Sequence, residues 1–148
     1  TGLLRSPVEW MVALLKALDV PAASAHPEWF LEALGQQLFE PPNVSGWKQN
    51  GYWVSTSAVW ARADFVDWFR WLVTDESGLD RLAGVDQMTV DQIVAVAVST
   101  CGLEEASPAS LAVIRSWATD LRANGNLRWS IRPNLVPLVA LSPDFALA

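Results

Sequence analysis

Residues 55–73 read STSAVWARADFVDWFRWLV, and this stretch decides the fold. Ser55, Thr56 and Ser57 offer hydroxyls that can accept from the free N–H groups of a first helical turn. Asp64, Asp67 and Arg70 recur at three-residue steps and mark a solvated stripe, whereas Val59, Val66, Phe69 and Val73 form an opposing apolar one. That spacing has the period of an α-helix rather than the alternation of a strand.

The same punctuation repeats on both sides. Ser6-Pro7-Val8-Glu9 places a capping serine, a proline at the first helical position and a glutamate three residues after the cap. The helix it opens is predicted to run to Val20 and stop at Pro21. Its polar positions are mainly Glu9, Lys16 and Asp19, so it is expected to be covered on most sides, partly by a surface outside this chain. Pro27 to Leu34 reads as a short helix closed by a left-handed Gly35. Thr89-Val90-Asp91-Gln92 is a second capping box, ahead of an apolar run from Ile93 to Val98 that ends near Gly102. Ser107-Pro108 opens a helix with Leu111, Ile114, Trp117, Ala118 and Leu121 on one face and Asn124-Gly125 as its stop. Leu135 to Leu141 is helical if Asn134 is the cap and Pro137 falls in the first turn. Ser142-Pro143-Asp144 starts a last turn. These elements predict an all-α bundle of about six helices in a single domain over residues 1–148, with a hinge over residues 75–88, where Gly78 and Gly84 sit among polar neighbours.

Composition narrows the function classes. The chain is 148 residues long, enough to bury a sizeable core, but its apolar runs are too short to span a bilayer. A formal charge of −6 gives no source for phosphate-backbone attraction, which argues against nucleic acid. With Cys101 as its one cysteine, the chain can form neither an internal disulfide nor a cysteine-based metal site. His26 is the one histidine and has no partner in a nucleophile–base or zinc pattern, so it reads as a surface or capping residue. Asp64 and Asp67, and the pair Glu104-Glu105, read as solvated carboxylates rather than a hydrolytic dyad. Cys101 reads as a small buried residue. No catalytic residue, metal or cofactor is expected. Thr1 precedes a helix start with no basic or apolar leader, so the chain is expected to be part of a longer protein.

Residues 35–54, GQQLFEPPNVSGWKQNGYWV, follow no helical or strand period. Pro41-Pro42 stiffens the segment and restricts Glu40, while Gly46 and Gly51 permit tight turns. The expected arrangement is a long, ordered loop clamped across one end of the bundle, with Trp47, Tyr52 and Trp53 folded inward over helix ends and Arg62 binding the loop's carbonyls. Exposed rings would instead make a platform, with Asn43, Gln49, Asn50 and Arg62 as hydrogen-bonding groups beside Trp47, Tyr52 and Trp53, suited to a sugar ring or a protein partner.

The longer stretch GQQLFEPPNVSGWKQNGYWVSTSAVWARADF, residues 35–65, resembles the Gly-Gln-x-Leu-Phe-x-Pro-Pro-Asn-Val-x-Gly-Trp motif of bacterial domain-of-unknown-function family 1800, which continues into Trp-(Ile/Val)-x-Thr-Ser and an arginine. RSPVEWMVALLKAL, residues 5–18, is similar to that family's upstream helix, and LSPDFALA, residues 141–148, to its closing segment. The resemblance implies the C-terminal portion of a larger, mostly helical bacterial protein, exported to the periplasm or beyond and often encoded beside a sulfatase-like partner. It implies no settled activity. The expected function is therefore a non-catalytic helical module that packs against its own upstream region or a protein partner. The alternative is a substrate platform belonging to an enzyme that acts on extracellular or cell-surface polysaccharide.

Overall fold

The computed structural model describes residues 3–47, 50–73, 82–103, 106–124 and 131–147. Among them are seven α-helices: α1 (Pro7–Ala17), α2 (Ala22–Ala25), α3 (Glu28–Leu31), α4 (Thr56–Leu72), α5 (Val90–Ser99), α6 (Pro108–Ala123) and α7 (Ile131–Ala140). Short 3₁₀ turns cover Asn50–Trp53 and Val85–Gln87. No strand occurs among the described residues, and a lone antiparallel bridge pairs Leu4 with Leu147. The protein is an all-α helical bundle.

Local chemistry sets most helix ends. Ser6 Oγ accepts from Glu9 N–H at 3.3 Å while the Glu9 carboxylate accepts from Ser6 N–H at 2.8 Å, so both halves of the first capping box form. Thr89 and Gln92 repeat the arrangement at α5. Ser55 and Ser107 cap α4 and α6 by accepting from Ala58 and Ser110 N–H. α1 stops at Ala17, short of the Val20 expected, because Asp19 turns left-handed (φ 52°) and Val20 N–H folds back to the Leu15 carbonyl. Gly35 (φ 82°) closes the turn after α3 in the same way, with Gln36 N–H bonded to the Leu31 carbonyl. A separate short turn, α2, lies in the stretch after Pro21.

Two expectations about helices are overturned. α7 begins by Ile131, so Asn134 is not its cap and Pro137 lies in its interior, where it lacks an N–H for the ladder. Packing outweighs that loss: Ile131, Leu135, Val136, Val139 and Ala140 are all buried, and α7 contacts α4, α5 and α6. Asn134 instead accepts from the Arg70 guanidinium at 2.9 Å. In α4, Val59 is exposed, because the buried face is Ala58, Ala61, Arg62, Phe65, Val66 and Phe69. The solvated stripe at Asp64 and Asp67 is present and extends to Trp60 and Trp71, which occupy the same helical face at the spacing 60, 64, 67, 71.

One continuous apolar core runs from Trp10 to Phe145. Trp10 sits at its hub: the indole meets Phe65 edge-on at 5.8 Å and Phe145 at 6.5 Å, and its N–H donates to the Ala140 carbonyl at 3.0 Å. α1 is covered by this chain alone, with Val12 its one exposed large apolar side chain. The outside surface expected to cover it is not needed. Of the expected hinge, residues 75–81 lie outside the described residues, while Leu82 and Val85 are buried in the core. Gly125 and the pair Glu104-Glu105 also lie outside them.

Candidate functional site

The three stretches that carry the family resemblance meet at one seam. Arg5, just before α1, donates its backbone N–H to the Ala146 carbonyl at 2.8 Å and its guanidinium to the Phe145 carbonyl at 2.8 Å, with the cation 5.1 Å from the Phe145 ring centre. From α4, Arg62 reaches the Arg5 carbonyl at 3.4 Å and lies 5.4 Å from the Trp10 ring centre. Gln36, the residue after the left-handed Gly35, accepts from Val8 N–H at 3.1 Å and so satisfies a free donor in the first turn of α1. Asp144 accepts from Ser107 N–H at 2.7 Å at the start of α6. Hydrogen bonds from the Ser110 and Ser107 hydroxyls and from Ser107 N–H hold the Asp144 carboxyl below the usual carboxylate range. Sequence reading missed Gln36 and Asp144. Their signal is positional, a polar residue next to a helix stop or start, but the helix each one caps is far away in sequence.

Arg62 is the one charged side chain buried among the described residues, 7% exposed, and burial lowers its pKa. It binds the carbonyl of Arg5 and not, as expected, those of the loop. The physical reason is that α4 carries it to the α1 entry, where the Arg5 carbonyl is within reach.

The loop does not fold its rings inward as a row. Trp53 is buried, 4.0 Å from the position a Cβ on Gly35 would take, and Trp47 is half-buried. Tyr52 is 61% exposed, and Phe39, 94% exposed, holds a left-handed backbone (φ 65°) that is uncommon for a bulky residue. Val44 is fully exposed and Trp60, at the start of α4, is 68% exposed. Pro41 and Pro42 are themselves exposed, so stiffness holds the segment out from the bundle rather than pressing it down. The polar candidates serve the backbone. Asn43 accepts from Ser45 N–H at 2.8 Å in a local turn, and Asn50 (φ 55°), not Gly51, takes the left-handed position. Gln49 lies outside the described residues.

His26, Cys101 and Asp67 have local surroundings that account for them. His26 (φ 41°) ends α2, stacks on Trp29 at 4.1 Å and bonds Glu28 at 3.0 Å. Cys101 is buried, which pushes its thiol up to about 12. Asp67 pairs with Arg70 at 2.6 Å. Among the described residues, no three His, Cys, Asp or Glu side chains cluster as a metal site would require, and no helix is long and apolar enough to cross a membrane. A groove of about 650 Å³ between α6 and α7, walled by Val113, Ile114, Trp117, Pro137 and Leu138, carries Ser110, Asn134 and Ser142 as its polar groups and no titratable side chain.

Fold and site together define a helical bundle in which the entry to α1, α4 and the stretch Phe145–Leu147 are joined at one seam. The chain matches the model of a protein family of unknown function, DUF1800, over residues 1–147, and it belongs to that family. Comparison with curated proteins and with solved structures gave no match.

Proposed function

We propose that the chain is a non-catalytic helical packing and interaction module that docks through the segment from Leu38 to Trp60. One observation carries this reading: half of the large apolar side chains exposed among the described residues fall between those two positions, namely Leu38, Phe39, Val44, Tyr52, Val54, Val59 and Trp60. Singly exposed apolar residues are ordinary, but a run of them on a proline-stiffened loop is preorganised for contact and loses little entropy on docking. The strained backbone at Phe39 fits the same role, since strain persists where a side chain must be displayed. In this reading the neighbour is the upstream region of a longer exported protein or a partner such as the sulfatase-like proteins implied by the resemblance. Hydroxyl-radical footprinting tests it. Phe39, Tyr52 and Trp60 are expected to oxidise readily in this chain and to be protected in the full gene product isolated from its source. Equal oxidation in both would refute the docking segment.

A second reading, a polysaccharide platform, draws on the exposure of Tyr52 and Trp60. It predicts that oligosaccharides change the tryptophan fluorescence and that Trp47→Ala or Trp60→Ala removes the change. An unchanged spectrum in the full gene product would discard it.

A further inference from the structure

On the exposed face of α4, Asp67 and Trp71 stand four residues apart, and the guanidinium of Arg70 serves both. Its Nη2 pairs with Asp67 at 2.6 Å, and the cation lies 4.9 Å from the Trp71 ring centre. A planar guanidinium can do this because its face stacks on an indole while its edge donates to a carboxylate. Nearer the start of the helix, Trp60 and Asp64 repeat the combination in the reverse order: an indole and a carboxylate four residues apart on the same face, both exposed. Side chains at that spacing stand about 6 Å apart at their Cβ atoms, within the span of one guanidinium. Among the described residues, no basic side chain pairs with Asp64 and no cation lies over the Trp60 ring.

We propose that Trp60 and Asp64 together take an arginine side chain of the protein surface that docks on this module. This rests on the interaction-module reading above and gives its partner a chemistry. Three observations select the occupant. The chain itself fills the matching pair, Asp67 and Trp71, with a guanidinium. Charge points the same way: the formal charge is −6, and Asp64 and Asp67 share this face, so the surface draws cations, whereas a neutral sugar gains nothing from that field. Position supplies the third. Trp60 closes the run of exposed apolar side chains that begins at Leu38, with Val59 beside it, so the ion pair lies at the edge of an apolar contact rather than alone in water.

The test has two parts. In this chain, the Trp60 indole N–H resonance, assigned by its loss in Trp60→Phe, is followed as a capped glycine–arginine peptide is added. A saturable shift is expected, weakened roughly fourfold in Asp64→Asn, the worth of one exposed ion pair, and reduced by salt. The same peptide with citrulline, which is neutral and of similar shape, should leave the resonance in place. An equal response to both peptides, or none to arginine, overturns the proposal. Trp60 and Asp64 are exposed, so neither substitution threatens the fold. A cello-oligosaccharide that shifts the resonance where the arginine peptide does not would give this face to carbohydrate and overturn the proposal likewise. In the full gene product isolated from its source, Asp64→Lys is expected to restore the oxidation of Trp60 that docking suppresses, because it sets a cation against the incoming arginine. Protection equal to the parent's overturns the proposal. Protection of Phe39 and Tyr52 with Trp60 still oxidised in the parent leaves the docking segment standing and removes the arginine alone; oxidation of all three as in this chain removes both.

Discussion

Replacing Trp10 by phenylalanine tests whether the core is organised around one indole. Trp10 is fully buried, donates to the Ala140 carbonyl at 3.0 Å and touches Phe65, Phe145 and the Arg62 cation. Phenylalanine keeps an aromatic face but cannot donate. Stranding a buried carbonyl costs about 1–3 kcal/mol. The smaller ring leaves a void of roughly 40 Å³, which at about 24 cal/mol per Å³ adds ~1 kcal/mol. The expected loss is therefore ~3 kcal/mol, a large share of the stability of a domain this size. With a urea dependence of about 2 kcal/mol per M, the midpoint should fall by ~1.5 M, followed by far-ultraviolet circular dichroism so that loss of a fluorophore does not confuse the reading. Trp60→Phe is the control. It makes the same chemical change at an exposed position and should move the midpoint by less than ~0.25 M, within the usual range of surface substitutions. If both variants shift equally, or Trp10→Phe shifts by no more than the control, the hub reading is wrong.

Three further outcomes follow from the geometry. A Cβ on Gly102 (φ 78°) would stand 2.8 Å from the Cβ of Ala17, so Gly102→Ala should cost ~2–4 kcal/mol, whereas Gly84→Ala, with the same φ and nothing within 4 Å, should cost ~1 kcal/mol; similar thermal shifts for the two would rule out the close approach of α1 to the end of α5. Because the folded-state pKa of Asp144 is depressed, its contribution is present above the unfolded value near 3.9 and is lost as pH falls through the lower folded value. Asp144→Asn should therefore flatten the acid limb of a stability–pH curve, and an unchanged limb would show that the Ser107 and Ser110 bonds do not hold the carboxylate. Cys101, buried and with its thiol raised to about 12, should react with a water-soluble disulfide reagent at pH 8 only at the rate of unfolding, accelerating in urea; reaction at the speed of a free thiol would contradict its placement.

Helix starts were legible in the sequence because their chemistry is contained within four residues. Ser6, Ser55, Thr89 and Ser107 all form the bonds that their spacing implies. The all-α fold followed from them. What stayed hidden depends on distant neighbours. Nothing near Pro137 says that α7 will be packed against α4, α5 and α6, and it is that packing which lets a helix carry an interior proline. Loop residues have no periodicity, so the direction of Trp47, Tyr52 and Trp53 could not be read: Trp53 is buried, Trp47 half-buried and Tyr52 exposed. Arg62 was expected to bind the loop's carbonyls, but its acceptor lies 57 residues away and outside the loop. The exposure of Trp60 and Trp71 was in principle visible, since both continue the spacing of Asp64 and Asp67; hydrophobicity by type obscured it.

The pairing of Leu4 with Leu147, reinforced by Arg5 and Ala146, holds two stretches far apart in sequence side by side. Linking the strand-like stretches at Leu4 and Leu147 and opening the polypeptide at the exposed Pro41-Pro42 bend would reorder this bundle's sequence while leaving the buried core residues in place. A permuted protein of that kind would carry its new termini on the displayed segment itself, so the bundle could keep its shape while the order of its parts along the gene changed.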